Sequence, residues 1–321
     1  MYRIDSALNP PVPRPREAGR LEVGEGHSIW WEEAGPADGV PLLVLHGGPG
    51  GRIVPYYRRL ADPRVHRAIY FDQRGCGNSV PFGSIESNDT WRLVADIERL
   101  REARGVERWI VLGGSWGSTL ALAYAETHPR SLAGLVLSGV FLARTEDSAW
   151  WWEGARRVFP DAYSLRDEFL TEQERADPRA SFTRRILDPD PAIHGPAAQT
   201  LMLAEFSTLG LWPSLMLEDP YTIDPQVVAA GRIHAHYDKH RFFLEEDQLL
   251  RDAGALAEVP GEIIAGRADM CTPPKGAFDL ARVWSRARLT IVPAAGHRWN
   301  DEMLCRDIVA AMQRVTAHAR R

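Results

Sequence analysis

Four short apolar runs, each followed by a glycine-containing turn, set the rhythm of the first half of the chain: "PLLVLHGGPGG", "RAIYFDQRGCG", "RWIVLGGSWG" and "LAGLVLSGV". Such runs are too short for helices, and bounded by turn residues they predict strands buried on both faces. Helical periodicity lies between several of them. In "TWRLVADIERLREARG" the positions Trp91, Val94, Ile97, Leu100 and Arg101 line up on one side, and Asp89 stands where an N-cap is needed. Upstream, "RLEVGEG" and "HSIWWEEAG" alternate and turn like a short antiparallel pair. Together these elements predict an α/β fold with a largely parallel sheet.

After about residue 142 the rhythm changes. "SAWWWEGARRVF", "SLRDEFLTEQER", "SFTRRIL" and "AAQTLMLAEFSTLG" read as helices, and no strand follows until "GEIIAG". Alternation then resumes with "KGAFDLARVW", "RLTIVP" and a last helix from about Asp301, which is placed to cap it. The expected organisation is an α/β core at 1–141 and 248–321, interrupted by a helical cap at 142–247.

Composition narrows the class. A chain of 321 residues with 45% hydrophobic content can bury a full core, and a net charge of −5 without a basic block argues against a nucleic-acid partner. Three widely spaced cysteines, Cys76, Cys271 and Cys305, do not make a disulfide framework and fit a reducing, cytoplasmic setting. The opening "MYRIDSALNPPVPRPREAG" has no apolar core of a signal peptide; its prolines suggest an extended arm. No apolar run has the length of a membrane span.

The chemistry begins at "VLGGSWGS". Gly113-Gly114-Ser115-Trp116-Gly117 fits G-x-S-x-G in a strand–turn–helix setting, the elbow that exposes a nucleophilic serine at the end of a sheet. A serine hydroxyl needs a base, and a base needs an orienting acid. Asp269 in "EIIAGRADMCTPP" and His297 in "LTIVPAAGHRWND" each follow a strand, in the chain order that this elbow demands. The backbone N–H groups of Trp116, after the serine, and of Gly48, in "HGGPGG", are the expected oxyanion donors. In "FDQRGCGNS", Asp72 and Arg74 are expected to pair and hold the loop beside the elbow, with Cys76 as a buried small residue. His236 and His240 stand four apart, but no H-E-x-x-H pattern accompanies them. Nor does "GGPGG" have the spacing of a dinucleotide fingerprint, so no cofactor is expected.

Taken together, "HGGPGG", "DQRGCGNS", "GGSWGSTLALAYAETHP", "GRADMCTP" and "AAGH" resemble the prolyl iminopeptidase family of α/β-hydrolases, from about Gly35 to the last helix. The resemblance implies a metal-free serine peptidase that removes N-terminal proline from short peptides, with a helical cap over the site. It also implies cap carboxylates that hold the substrate's free amine, of which the first matches Glu205. The second falls in "GRIHAHYDKHRFF", where the family's glutamate after Arg-Ile is His234 in this chain. A neutral imidazole accepts a hydrogen bond, whereas a protonated one repels a cation. Asp238 and Glu218 are the candidates to compensate. Trp150, Trp151 and Trp152 line the pocket or pack cap on core. Two other readings stay open: an amidase, esterase or acyl-transfer enzyme with the same triad, and a non-catalytic binder on a hydrolase scaffold. Serine at the elbow disfavours the aspartate-nucleophile hydrolases of this fold.

Overall fold

The structure is a computed structural model that describes residues 12–209 and 223–320. Strands β1 (Glu17–Gly24) and β2 (His27–Ala34) form the expected antiparallel pair. The chain continues through β3 (Val40–Leu45), β4 (His66–Asp72), α1 (Thr90–Ala103), β5 (Trp109–Ser115), α2 (Trp116–Thr127) and β6 (Leu132–Val140). Helices α3 (Thr145–Trp152), α4 (Pro160–Glu168), α5 (Pro178–Ile186), α6 (Pro191–Thr208), α7 (Pro225–Lys239) and the short α8 (Gln248–Arg251) follow. Then come β7 (Gly261–Gly266), α9 (Lys275–Val283), β8 (Ala287–Val292) and α10 (Glu302–Ala319). The eight strands form one sheet in the order β1-β2-β4-β3-β5-β6-β7-β8, antiparallel up to the β2–β4 pair and parallel from there on.

The side-chain alternation of the strands sorts the core into two layers. Leu43, Leu45, Val111, Leu135 and Leu137 face α1, α2 and α9, whereas Leu42, Val44, Ile110, Leu112 and Val136 face α10. That is why these strands read as unbroken apolar runs. On α10, Leu304, Ile308, Met312 and Val315 are buried. Each such side chain contributes roughly 1.5–3 kcal/mol of burial. Asp301 caps α10 by accepting from the N–H groups of Met303 and Leu304, and Asp89 caps α1 through Arg92 N–H. The buried face of α1 is Leu93, Val94, Ile97 and Leu100. Trp91, expected on that stripe, instead turns outward at 42% exposure and donates its indole N–H to the Phe243 carbonyl, a contact the periodicity could not foresee.

Helices α5, α6 and α7 pack on one another around Phe182, Ile186, Ala197, Ala198 and Leu201, a separate apolar cluster outside the sheet. The C-terminal ends of β5, β6 and β7, and the loop after β8, are where the functional side chains gather. Among the described residues no helix is long and apolar enough to cross a membrane.

Candidate active site

Strand β5 ends on Ser115, which takes a φ of 57° and a ψ of −130°. A non-glycine residue in this region is strained, and here the strain belongs to the reversal from strand to helix. The flanking glycines are steric necessities. A Cβ at Gly113 would stand 2.2 Å from the Gly117 carbonyl oxygen, and one at Gly117 would stand 2.6 Å from that of Leu45 on β3. Ser118 Oγ donates to the Ser115 carbonyl (2.6 Å) and accepts from Phe141 N–H (3.0 Å), which locks the elbow to the end of β6.

Asp269 lies three residues beyond β7 and is 1% exposed. Its Oδ1 accepts from the N–H groups of Cys271 (3.0 Å) and Thr272 (2.8 Å). Its Oδ2 accepts from Thr272 Oγ1 (3.0 Å) and lies 2.8 Å from His297 Nδ1. A carboxylate only accepts, so this contact assigns the imidazole proton to Nδ1 and leaves the Nε2 lone pair for a hydroxyl. Burial works against the imidazolium, but the Asp269 charge, with Cys271 beside the ring, holds His297 well above its ordinary value. The ring rests on Gly139, where a Cβ would come within 3.0 Å of Cε1. Gly139 precedes Val140, the register partner of Ser115 across β5 and β6. His297 makes no hydrogen bond to Ser115 Oγ in this unliganded site, a contact that in such sites commonly tightens only with substrate.

Gly48 and Trp116 line one narrow pocket, about 40 Å³, together with Ser115. Trp116 is the first residue of α2, so its N–H has no partner within the helix. Gly48 has a φ of 127°, and a Cβ there would meet the Gly50 nitrogen at 2.5 Å. A clamp beneath them ties both segments together. Gln73 donates its backbone N–H to His46 Nε2 (3.0 Å) and its amide to the His46 carbonyl (3.0 Å), and it accepts from Trp116 Nε1 (2.9 Å). His46 Nδ1 meets the Gly47 carbonyl (2.8 Å), and burial pushes its imidazole down to about 4.

The opposite wall of the pocket comes from the inserted helices: Trp151 on α3, Glu205 on α6, His234 on α7, and Phe242. Glu205 Oε2 and His234 Nδ1 are buried and have no hydrogen-bond partner among the described residues. Burial raises the Glu205 carboxyl, while His234 and His297 draw it down.

Comparison with known proteins identifies the setting. The alpha/beta hydrolase fold family matches residues 40–302. A proline iminopeptidase of Xylella fastidiosa (strain Temecula1) is 44% identical over 289 residues, 89% of this chain and 92% of its own. The chain belongs to the proline iminopeptidase family. It is a serine hydrolase resembling prolyl aminopeptidases, a reading also supported by the proline iminopeptidase of Arabidopsis thaliana, 39% identical over 94% of this chain and 80% of the relative. Among solved structures, the Mycobacterium smegmatis proline iminopeptidase aligns with a TM-score of 0.61 over 94% of this chain and 99% of its own. At 23% identity that likeness speaks for the fold.

Within this family frame the cap acids divide. Asp238 lines the pocket, but its carboxylate is held by Arg179 (2.9 Å to each oxygen) and Trp152 Nε1 (3.2 Å). It therefore does not replace the missing glutamate, contrary to expectation: its charge is already matched. Asp147 is likewise held by Arg144. Glu218 lies outside the described residues. Of the three tryptophans, Trp150 donates to the Met270 carbonyl of the core, Trp151 packs on His234 at 4.8 Å, and Trp152 serves Asp238.

The expected Asp72–Arg74 pair is a second correction. Arg74 pairs with buried Asp96 (2.7 and 2.9 Å) and with Glu25 (2.8 Å), which reach it from α1 and the β1–β2 turn. Asp72 instead accepts from the N–H groups of Ile53 (2.6 Å) and Asn78 (2.8 Å), and burial raises it to about 6. Cys76 is buried, and His236 meets the Asn88 carbonyl (2.9 Å). No three metal-ligating side chains cluster among the described residues.

Three contributors escaped the sequence reading. Thr272 bridges Asp269 and His297, and the D-x-x-T spacing was its only signal. Gln73 was visible in its motif, but nothing in the sequence revealed its two-sided clamp. Trp299 packs on Gly114, where a Cβ would stand 2.2 Å from the ring, and so joins the histidine loop to the nucleophile strand.

Proposed function

We propose that this chain releases an N-terminal proline from short peptides through a prolyl-enzyme intermediate. The observation that carries this reading is that Ser115 and a buried carboxylate without a partner, Glu205, open into one pocket. A carboxylate in that condition is costly unless a ligand supplies the opposite charge, and a free α-ammonium does so. The helices of 142–247 act as the cap that brings it there.

In this mechanism His297 Nε2 takes the Ser115 proton as Oγ attacks the prolyl carbonyl, and Asp269 balances the resulting imidazolium. The N–H groups of Gly48 and Trp116 hold the oxyanion. His297 then returns the proton to the leaving nitrogen, the C–N bond breaks, and the rest of the peptide departs. Water, deprotonated by the same imidazole, cleaves the ester and frees proline and Ser115 Oγ. Free thiols at Cys76, Cys271 and Cys305 fit a cytoplasmic setting.

The test is kcat/KM on prolyl-arylamide, alanyl-arylamide and an aryl ester, with Ser115→Ala as the blank. Prolyl-arylamide is expected to win by orders of magnitude. A second reading, hydrolysis of an ester or amide without a free amine, draws on His234 standing where a second carboxylate is expected; it requires the ester to win instead.

A further inference from the structure

The amine end of the pocket presents two unsatisfied buried atoms, Glu205 Oε2 on α6 and His234 Nδ1 on α7. Buried polar atoms in folded proteins nearly always have partners, so a pair without them at a pocket wall is a site waiting for a ligand. His234 is 7% exposed, and its ring is fixed between Trp151, at 4.8 Å and a 30° tilt, and the edge of Phe242, at 6.3 Å. It therefore cannot swing away to find water.

A secondary ammonium such as a pyrrolidinium carries two N–H donors, and two acceptors face it here. A primary ammonium carries three. We propose that His234, neutral and protonated on Nε2, is the second acceptor of a secondary-amine subsite shared with Glu205, and that protonation of the imidazole closes that subsite. The proposal rests on the amine-binding reading of Glu205 and adds to it the ligand class and a proton gate. Once protonated, Nδ1 becomes a donor, neutralises Glu205 and repels the cation.

The other titratable groups facing the subsite are committed. Asp147 from α3 is held by Arg144, and Asp238 from α7 by Arg179. Asp269 is held by His297 and backbone donors. Cys271 completes the wall as a thiol that burial keeps protonated.

L-Prolinol is a cationic secondary amine that cannot be hydrolysed, so its binding is read by calorimetry without turnover. The test is its Kd from pH 5 to 8.5 on the intact enzyme, His234→Gln and His234→Ala, with L-alaninol as the primary-amine control. At pH 8, His234→Ala is expected to weaken prolinol roughly tenfold, while His234→Gln, whose amide oxygen still accepts, stays within about threefold. In acid, log Kd should rise with a two-proton slope in the natural chain and a one-proton slope in His234→Gln. Prolinol should bind the natural chain about tenfold tighter than alaninol. Identical pH slopes, or an unchanged Kd in His234→Ala at pH 8, overturn the gate while leaving Glu205 as the amine's anchor. Absence of prolinol binding to the natural chain at every pH overturns the amine reading itself.

Discussion

The two walls of the pocket are built on opposite principles. On the sheet side, Asp269 accepts from two backbone N–H groups and a threonine hydroxyl as well as facing His297. Gln73 satisfies Trp116 and His46 at once. On the cap side, Glu205 and His234 present buried atoms with nothing to bond. Neither wall is more polar than the other. What differs is who completes the hydrogen bonds: the protein itself on the sheet side, an incoming molecule on the cap side. Machinery that must be oriented before substrate arrives is assembled in advance. A recognition group left unsatisfied gains only when its ligand binds, and that makes it selective.

This contrast is open to attack from both sides. The largest effect belongs to the sheet wall. Ser115→Ala and Asp269→Asn should each lower kcat/KM by about 10⁴-fold on any substrate, measured by steady-state hydrolysis. Ser115→Ala should also abolish labelling by a fluorophosphonate. A substrate-dependent loss would mean that the triad wall discriminates as well.

Next in size is Gln73→Leu. Releasing the clamp should lower kcat roughly tenfold with KM within about twofold, because the oxyanion donors lose alignment and the amine grip does not. A rise in KM alone would move Gln73 to the binding side.

The pH profile follows. His297 must be neutral to act as base, and its surroundings hold the proton beyond the usual 6.5. Activity should therefore climb with pH through a midpoint above 6.5, even on an ester without an amine. A midpoint below that value would show that Asp269 does not dominate its environment.

The smallest effect is on stability. Burial lowers His46 from 6.5 to about 4, so the unfolded chain binds this proton more readily than the folded one. Its contribution is intact above 6.5 and is lost progressively as pH falls towards 4, by up to ~3 kcal/mol. Urea midpoints across that range should fall less in His46→Gln than in the natural chain.

The parts of this design that obey local rules were legible in the sequence. Ser115 between its glycines, and Asp269 and His297 after apolar runs, are placed by strand–turn chemistry, which short motifs record. The capping aspartates 89 and 301 follow from the same kind of rule. What was not legible depended on contacts across the fold. Arg74 reaches Asp96 and Glu25 instead of its near neighbour Asp72, because α1 and the β1–β2 turn converge there. Trp91 leaves its helical stripe for a carbonyl 152 positions away. Asp238 is engaged by Arg179 from another cap helix, so its presence beside the pocket did not make it free. A residue type at the right spacing thus announces chemistry, whereas whether its charge is already matched is decided in three dimensions.

The most direct test of the unfinished cap wall compares the natural enzyme with Glu205→Gln on prolyl-arylamide and on N-acetylprolyl-arylamide. The account predicts a fall in kcat/KM of at least about 100-fold confined to the free-amine substrate, the consequence of removing one partner of a buried ion pair. Equal falls on both substrates, or none on either, would contradict it.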